Sequence, residues 1–360
     1  AKELIYGALE GMLASLDDYS QFLEPESYKE LKEDTKGEFG GLGLEIGLRD
    51  GMLTVISPIS DTPAEKAGIM PGDIVVKIDG EVTRQMSLAD AVKKMRGKPG
   101  TGVTLTIWRE KEDKFFDVVI VRDIISVKSV REARMLGGGI AYVKIAEFQE
   151  TSGNELEKSL SAMKRDDIKG IIIDLRNNAG GLLDSAIDVS DLFLEKGELI
   201  VSTKGRISEE DREYISEKET VYGGIPLAVL INEGSASASE IVAGAVRDNN
   251  KGVLVGKKTF GKGSVQTVIP LKDGSALRIT SAEYFTPNGT SIDKKGISPD
   301  VEIEYRKLDN PDDDSKAEQV FERLEGKTEA ADNDERDIMD TQIKAAMDAI
   351  KTVNIMRAGK

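Results

Sequence analysis

Two short stretches of this chain carry side chains that could do covalent chemistry. Residues 234–240 read Gly-Ser-Ala-Ser-Ala-Ser-Glu, and residues 260–266 read Phe-Gly-Lys-Gly-Ser-Val-Gln. The chain contains no histidine and no cysteine. A serine nucleophile would therefore need a base other than imidazole, and lysine is a recognised alternative. The sequence raises the hypothesis that a serine of the first stretch is activated by Lys262.

Ser237 lies between a predicted buried strand (227–231) and a predicted helix (238–247). A hydroxyl at a helix N-terminus is close to unpaired backbone N–H groups and to a dipole that favours a developing oxyanion, as acyl transfer requires. Ser235, Ser237 and Ser239 could instead cap the helix and pack as small residues. For this segment taken alone, capping is the stronger interpretation.

Lys262 is flanked by glycines at the start of a predicted strand that contains Val265, Val268 and Ile269. Burial at such a position would lower the pKa of the lysine and make the neutral amine a competent general base. The alternative is a solvated surface lysine. A lysine in this glycine-flanked position, following the serine stretch in the chain, favours the catalytic interpretation of the serines.

Composition excludes several other classes of function. The net charge of −16 over 360 residues opposes binding to nucleic acid, and no basic run offsets it. Without cysteine or histidine there are no disulfides, no thiolate metal sites and no histidine zinc ligands, so only carboxylates could bind a hard cation. We expect no metal and no organic cofactor. No apolar run is long enough to span a membrane.

Periodicity predicts a multidomain protein of mixed α/β and α+β class. A small β-rich module is inserted between an N-terminal helical segment and a core of apolar strands alternating with helices, which indicates a partly parallel sheet. A C-terminal helical extension follows. The predicted boundaries are 1–36 for the helical segment, 37–125 for the β-rich module, 126–305 for the α/β core and 306–360 for an acidic linker and the last helix.

Both terminal helices are predicted to be amphipathic. The first has Ile5, Leu9, Met12 and Leu16 at helical spacing, and the last has an apolar repeat at Met339, Ile343, Ala346, Ile350 and Val353. Such a repeat favours docking or dimer formation. A homo-oligomer formed through the terminal helices is one hypothesis for assembly.

The module at 37–125 resembles a PDZ domain of the bacterial type. Residues 40–44 (Gly-Gly-Leu-Gly-Leu) look like its carboxylate-binding loop, and residues 60–75 resemble its most recognisable segment. Convergent backbone N–H groups at Gly41, Leu42, Gly43 and Leu44 would bind an anion, and an edge strand beside a helix can accept a peptide as an added strand. These glycines could also simply shape a tight turn.

The two reactive stretches together resemble the active-site signature of the carboxyl-terminal processing peptidases, which are PDZ-containing serine endopeptidases with a Ser/Lys dyad. The resemblance implies that Ser237 is the nucleophile, that Lys262, 25 residues later, is the general base and that Gln266 orients the lysine. Residues 174–181 resemble the family's Gly-Gly loop. This implies an oxyanion hole formed by Gly180 or Gly181 with the N–H of Ala238. Ala179 stands where the family commonly has proline.

The resemblance implies an endopeptidase that captures substrate C-termini in the PDZ groove and cleaves upstream in its core. Its expected partners are proteins or peptides with accessible C-termini, together with an adaptor protein. It also implies an extracytoplasmic compartment such as the periplasm, with a signal segment removed. The alternatives are a non-catalytic PDZ scaffold and a hydrolase of small amides.

Arg96 ends the predicted PDZ helix and is the candidate for regulation. An arginine that reaches the Lys262 and Gln266 region only when peptide is bound would couple recognition to activity. A surface arginine or a charge that complements the helix C-terminus is an equally good interpretation.

Overall fold

The computed structural model describes residues 2–164, 167–308 and 339–358. The chain separates into one unit formed by Ala1–Glu30 with Lys128–Lys360 and a second unit, Leu31–Val127. The mixed α/β class, the inserted β-rich module and the C-terminal helix are as the sequence predicts. Most of the predicted acidic linker, 309–338, lies outside the described residues.

Eight α-helices lie within the described ranges. They are α1 (Lys2–Ala14), α2 (Pro25–Lys36), α3 (Pro63–Lys66), α4 (Leu88–Met95), α5 (Ser152–Ala162), α6 (Leu183–Asp191), α7 (Ala238–Asp248) and α8 (Thr341–Ala358). None of these helices is both long and apolar enough to cross a membrane.

The core of the first unit is a six-stranded sheet in the order β10-β11-β12-β15-β16-β19. Its strands β11, β12, β15, β16 and β19 are parallel, and β10 is antiparallel at one edge. The bounds are β10 (Val130–Leu136), β11 (Ile140–Ile145), β12 (Gly170–Asp174), β15 (Leu227–Ile231), β16 (Gly252–Gly256) and β19 (Val301–Glu302).

Helices cover both faces of this sheet, which explains why its strands are continuous apolar runs. Ile171 and Ile173 point into a cluster formed with α5, α6 and α7, whereas Ile172 between them points to the opposite cluster. That second cluster contains Ile343 and Ile350 of α8. The alternation follows from the two-residue side-chain period of a strand.

A second sheet of the first unit is antiparallel and has the order β1-β18-β13-β14, with β17 also paired to β18. It carries the residues that follow Lys262. Its strands are β1 (Gln21–Leu23), β13 (Leu199–Gly205), β14 (Arg212–Ile215), β17 (Ser264–Pro270) and β18 (Ala276–Phe285).

Helix α1 packs on this second sheet with a face that the sequence analysis did not predict. Tyr6 and Leu13 are buried against Phe22, whereas Ile5 and Met12 are 59% and 66% exposed. Of the predicted stripe, Leu9 packs against this cluster, whereas Ile5, Met12 and Leu16 are exposed and the prediction is wrong for them. Tyr6 is buried because its ring packs on Phe22 while its hydroxyl donates to Asp273, a contact that periodicity cannot indicate.

The second unit has its own core around the sheet β3-β4-β5-β7-β8, with β6 paired to β5, and a separate two-stranded ribbon of β2 and β9. Ser87 caps α4, since its hydroxyl accepts from the N–H of Asp90. The strands are β2 (Glu38–Gly41), β3 (Leu44–Arg49), β4 (Met52–Pro58), β5 (Ile74–Ile78), β6 (Glu81–Val82), β7 (Gly102–Arg109), β8 (Lys114–Val121) and β9 (Asp123–Ser126).

Candidate active site

Three loops that follow adjacent parallel strands carry the candidate residues of the first unit. Gly180 and Gly181 follow β12, Ser237 follows β15, and Lys262 follows β16. The carboxyl ends of neighbouring parallel strands lie at one edge of a sheet, where α/β proteins commonly bind ligands. The topology therefore brings together segments that are up to about eighty residues apart in the chain.

The three serines of the first stretch have different environments. The Ser235 hydroxyl is fully buried and donates to the Leu175 carbonyl at 2.8 Å, and that of Ser239 is fully buried and donates to the Asn178 carbonyl at 2.8 Å. Ser237 is only half-buried. Ser235 and Ser239 therefore pack the turn, and Ser237 is the serine whose side chain is accessible to solvent.

The backbone of Ser237 adopts a conformation that is unusual for a residue with a side chain. Its φ is +54° and its ψ is −113°, and α7 begins at the next residue. Non-glycine residues rarely adopt positive φ, and the strain persists only where surrounding contacts fix it. This sharp turn places Ser237 at the N-cap of α7, directly before Ala238.

Glu240 fixes this turn and joins it to the lysine segment. Its Oε2 accepts from the N–H groups of Ser237 and Lys262, each at 2.9 Å, and its Oε1 accepts from the N–H of Gly261 at 2.8 Å and from the Thr259 hydroxyl. Because Glu240 is fully buried, desolvation raises the pKa of its carboxyl, although these hydrogen bonds act in the opposite direction. One side chain thus holds the backbones of both candidate catalytic residues.

The Lys262 side chain is half-buried, with its Nζ 5.3 Å from the centre of the Tyr19 ring. Burial lowers the pKa of Lys262, and the positive charge of Arg278 lowers it further. Within the described ranges, Lys262 Nζ and Ser237 Oγ are not hydrogen-bonded to each other. The structure brings their backbones together without aligning the two reactive atoms.

Gln266 lies on β17, close to this lysine segment, but it does not hydrogen-bond Lys262. Its Nε2 donates to the hydroxyls of Ser264, at 2.9 Å, and Thr280, at 3.2 Å. Thr280 in turn donates to Asp17 at 2.9 Å. The turn at Asp17–Ser20, which also contains Tyr19, is a part of the site that sequence reasoning missed, because nothing in the local pattern relates it to Thr280, 263 positions later.

The loop after β12 contacts the Ser237 turn directly. A Cβ on Gly180 would lie 2.7 Å from the Ala236 carbonyl oxygen and 2.8 Å from Ser237 Cβ, and the φ of Gly180 is +103°. The N–H of Gly180 donates to the Asn178 side chain at 2.8 Å. The N–H of Gly181, by contrast, has no hydrogen-bond partner in the described part of the chain.

Asn178 is another residue that the sequence analysis did not single out. It is fully buried, its Nδ2 donates to the Ile145 carbonyl, and its own carbonyl accepts from the N–H of Ala236 at 3.0 Å. The Asn178 carbonyl also accepts from Ser239. It therefore joins the glycine loop to both sides of Ser237. An asparagine beside glycines could only have been recognised as a turn former from sequence.

In the second unit, β3 is the edge strand of its sheet and lies beside α4. A groove of about 190 Å³ is lined by Phe39, Gly41, Leu42, Gly43, Leu44, Ile46, Val92, Met95 and Arg96. An edge strand facing a helix can accept an extended peptide. All four residues predicted for carboxylate binding thus line one groove.

Arg96 lies at this groove and not on an open surface. Its guanidinium carbon is 4.3 Å from the centre of the Phe39 ring, and its Nε has no hydrogen-bond partner among the described residues. A cation over an aromatic face is favourable, but it leaves guanidinium donors available.

Known protein families match both units. The model of peptidase family S41 matches residues 139–303, and a PDZ domain model matches residues 54–109. The carboxy-terminal-processing protease of Bartonella bacilliformis is 47% identical over 307 residues, which cover 84% of this chain and 70% of that protein. The chain belongs to the carboxy-terminal-processing proteases of peptidase family S41. The resemblance recognised in the sequence is therefore confirmed.

Two further comparisons agree with this assignment. The "Probable CtpA-like serine protease" of Staphylococcus saprophyticus is 39% identical over 84% of this chain, but the match spans 61% of that protein. Among solved structures, the photosystem II D1 C-terminal processing protease is 32% identical with a TM-score of 0.52, covering 84% of this chain and 83% of that one. The chain thus spans about three fifths to seven tenths of the curated relatives named here.

The described ranges contain no group of three or more acidic side chains placed to bind a metal ion. The polar groups of the site are hydroxyls, backbone N–H groups, an amine and a buried carboxylate, which together fit acid–base and acyl-transfer chemistry.

Replacing Gly180 with alanine tests the contact between the glycine loop and the Ser237 turn. Gly197 provides a matched control, since its φ is +91° and its Cβ would have nothing within 4 Å. We expect Gly197→Ala to cost about 1 kcal/mol from backbone strain alone, and Gly180→Ala about 3 kcal/mol because the methyl group also displaces its neighbours. Denaturant unfolding measures both values, and equal losses would contradict the proposed close contact.

Proposed function

We propose that this chain is a serine endopeptidase that uses Ser237 as its nucleophile and Lys262 as its general base. One observation carries the proposal: the N–H groups of Ser237 and Lys262 bind the same oxygen of the buried Glu240 carboxylate, each at 2.9 Å. The accessibility of Ser237, and the tied hydroxyls of Ser235 and Ser239, support this choice of nucleophile.

In the proposed reaction, neutral Lys262 accepts the proton of the Ser237 hydroxyl as Oγ attacks the scissile carbonyl carbon. The resulting ammonium donates that proton to the departing amine as the C–N bond breaks, leaving an acyl-enzyme. Water then attacks the ester carbonyl as Lys262 accepts a proton from it. The bond from the acyl carbon to Ser237 Oγ breaks, Lys262 returns the proton to Oγ, and the product leaves as a carboxylic acid. Half-burial of Lys262 supports this role because a lowered pKa increases the neutral fraction at a given pH.

The oxyanion of the tetrahedral intermediate would be stabilised by the N–H of Ala238 and an N–H of the glycine loop. Ala238 is the first residue of α7, so its N–H has no partner within the helix. Of the two glycines, Gly181 is the better donor, because the N–H of Gly180 is already bound to Asn178. The dipole of α7 adds to this stabilisation.

We assign Gln266 the role of orienting Lys262. Its Nε2 is held by two hydroxyls, while its Oε1 accepts no hydrogen bond from the described residues. That oxygen is therefore available as an acceptor for the lysine side chain.

For the second unit we propose binding of substrate C-termini. The N–H groups of Leu42 and Gly43 donate no hydrogen bond in the described part of the chain, and both residues line the groove beside β3 and α4. We propose that Arg96 couples occupation of this groove to cleavage. By its family the enzyme would act outside the cytoplasm, on proteins with accessible C-termini; an adaptor protein and a homo-oligomer remain hypotheses.

Substitution of the two catalytic candidates tests the central proposal. We expect Ser237→Ala and Lys262→Ala each to lower cleavage of a tailed peptide by a factor of about 10⁴ or more. Ser298→Ala is the control, since Ser298 is exposed and its hydroxyl makes no hydrogen bond among the described residues. Peptide turnover is followed by mass spectrometry. If either variant keeps the parental turnover, the substituted residue has no catalytic role. If the parent itself cleaves no peptide, a PDZ scaffold or a hydrolase of small amides is favoured instead.

The environment of Lys262 predicts a pH dependence. Activity of the parent should rise with pH as Lys262 loses its proton. Because the charge of Arg278 lowers the pKa of Lys262, Arg278→Gln should raise that pKa and shift the rising limb of kcat/KM to higher pH. The exposed Arg212→Gln serves as control for loss of one positive charge. A limb that does not move in Arg278→Gln would mean that Arg278 has no influence on the base.

Recognition of the C-terminus is tested with paired peptides. The kcat/KM for a peptide with a free C-terminal carboxylate should be about tenfold higher than for the same peptide with a C-terminal amide. The amide lacks the charge that the groove would bind. We expect Arg96→Ala to reduce this difference, while the control Lys98→Ala leaves it unchanged. Equal rates for the two parental substrates would contradict carboxylate recognition, and a parental ratio in Arg96→Ala would contradict coupling.

A further inference from the structure

A buried polar cluster joins the C-terminal helix to the start of the glycine loop. We call it the Arg176 cluster; at its centre, Arg176 donates from Nη2 to Asp174 at 2.6 Å and from Nη1 to Asp340 at 2.8 Å and to Gln342 at 2.9 Å. The Tyr142 hydroxyl also donates to Asp174, at 2.7 Å. The side chains are nearly inaccessible, with 0% exposure for Asp174, 8% for Arg176 and 1% each for Asp340 and Gln342.

Asp340 has two functions in this cluster. Its Oδ1 accepts from the N–H groups of Gln342 and Ile343, both at 2.8 Å, and so caps the start of α8. Its Oδ2 binds Arg176. Gln342 is likewise held on two sides, since its Nε2 donates to the Ile303 carbonyl at 2.8 Å. The first turn of α8 is thus fixed both to Ile303, the residue after β19, and to Arg176.

Only a few residues separate Arg176 from the candidate oxyanion site. Asn178, two residues on, has its carbonyl bound to the N–H of Ala236, and Gly180 packs against Ser237. The backbone N–H of Arg176 is itself bound to Asp174 at 2.9 Å. The loop is therefore held at its start by the Arg176 cluster and at its end by the Ser237 turn.

The apolar face of α8 already provides a reason for the helix to dock. Ile343, Ala346, Met347 and Ile350 are buried on the sheet. A buried ion pair, in contrast, seldom adds more stability than apolar residues of the same size, because both charges lose their hydration. Beyond docking the helix, the cluster fixes the direction of the Arg176 guanidinium. It therefore also fixes the Arg176 backbone.

We propose that Asp340 and Gln342 are positioning residues for the loop 177–181, acting through Arg176. The C-terminal helix then supports the candidate oxyanion site through Arg176. This inference rests on the proposed function for its kinetic consequences, whereas the order of the loop itself can be measured independently of any activity.

Asp340→Asn is the most selective substitution. Asparagine is as good a helix cap as aspartate, so α8 should remain intact while the charge opposite Arg176 is lost. Asn354→Ala is the matched control, because Asn354 docks the far end of the same helix by donating to the Lys169 carbonyl at 2.8 Å. Gln342→Met, which removes one acceptor of Arg176 and retains side-chain length, is a second variant.

In the 360-residue chain we expect Asp340→Asn to lower kcat for a tailed peptide about tenfold with KM unchanged, since only the transition state needs the oxyanion site. The inhibition constant of a peptide aldehyde, whose adduct oxygen would occupy that site, should rise by a similar factor. The pH dependence of kcat/KM should not move, because Lys262 lies on a different loop. Asn354→Ala should keep parental values.

Hydrogen exchange of the same proteins gives the second measurement. Peptides that cover 177–181 should exchange faster in Asp340→Asn and Gln342→Met than in the parent and in Asn354→Ala. Parental exchange there in both cluster variants would overturn the proposal whether or not the chain is a protease. Faster exchange with unchanged kcat and unchanged aldehyde affinity would also overturn it. A parent without peptidase activity would refute the proposed function, and hydrogen exchange alone would then test whether Asp340 and Gln342 order the loop 177–181.

Discussion

The buried carboxylate of Glu240 is the contact on which the geometry of the candidate site depends. It accepts four hydrogen bonds, from the backbone of Ser237, Gly261 and Lys262 and from the Thr259 hydroxyl. An ionised carboxylate has only acceptor positions, so it can satisfy four donors at once, whereas an amide of the same shape would present its own N–H groups to some of them. The strained φ of Ser237 can persist because this side chain, together with the buried hydroxyls of Ser235 and Ser239, fixes the turn on both sides. The same contact sets the start of the lysine segment.

The environment of Lys262 combines opposing influences. Burial and the charge of Arg278 lower its pKa. The face of the Tyr19 ring, 5.3 Å from the ammonium, favours the charged form. A general base must be neutral before attack and must hold the proton afterwards, so an environment that strongly favoured either form would slow one half of the reaction. The N-terminal turn that carries Tyr19 is connected to Gln266 through Thr280, so the surroundings of the base and those of its candidate orienting residue are parts of one network.

Sequence was sufficient wherever chemistry follows from local pattern. The apolar runs of β12, β15 and β16 predicted a parallel sheet, and the serine stretch and the lysine stretch each followed one of these strands. Sequence could not distinguish by local pattern which of three alternating serines is accessible, because that depends on the Leu175 and Asn178 carbonyls contributed by another loop. It also misassigned part of the buried face of α1, where Tyr6 buries its ring and still bonds Asp273 while Ile5 and Met12 are exposed. Contacts such as Thr280 with Asp17 join residues 263 positions apart and leave no periodic signal.

The three reactive loops depend on supports from both ends of the described chain. The turn at Asp17–Ser20 lies beside the lysine segment, and the start of α8 binds Arg176 just before the glycine loop. A parallel sheet by itself fixes only where its loops begin, since each loop leaves a strand at a defined point but is free beyond it. The glycines that allow the loop to approach Ser237 closely also remove side chains that could hold it in place. The rigidity that an oxyanion site requires must then come from residues flanking the glycines. At this site these residues are Asn178, which donates to the Ile145 carbonyl of the sheet, and Arg176, which donates to Asp340 at the start of the C-terminal helix.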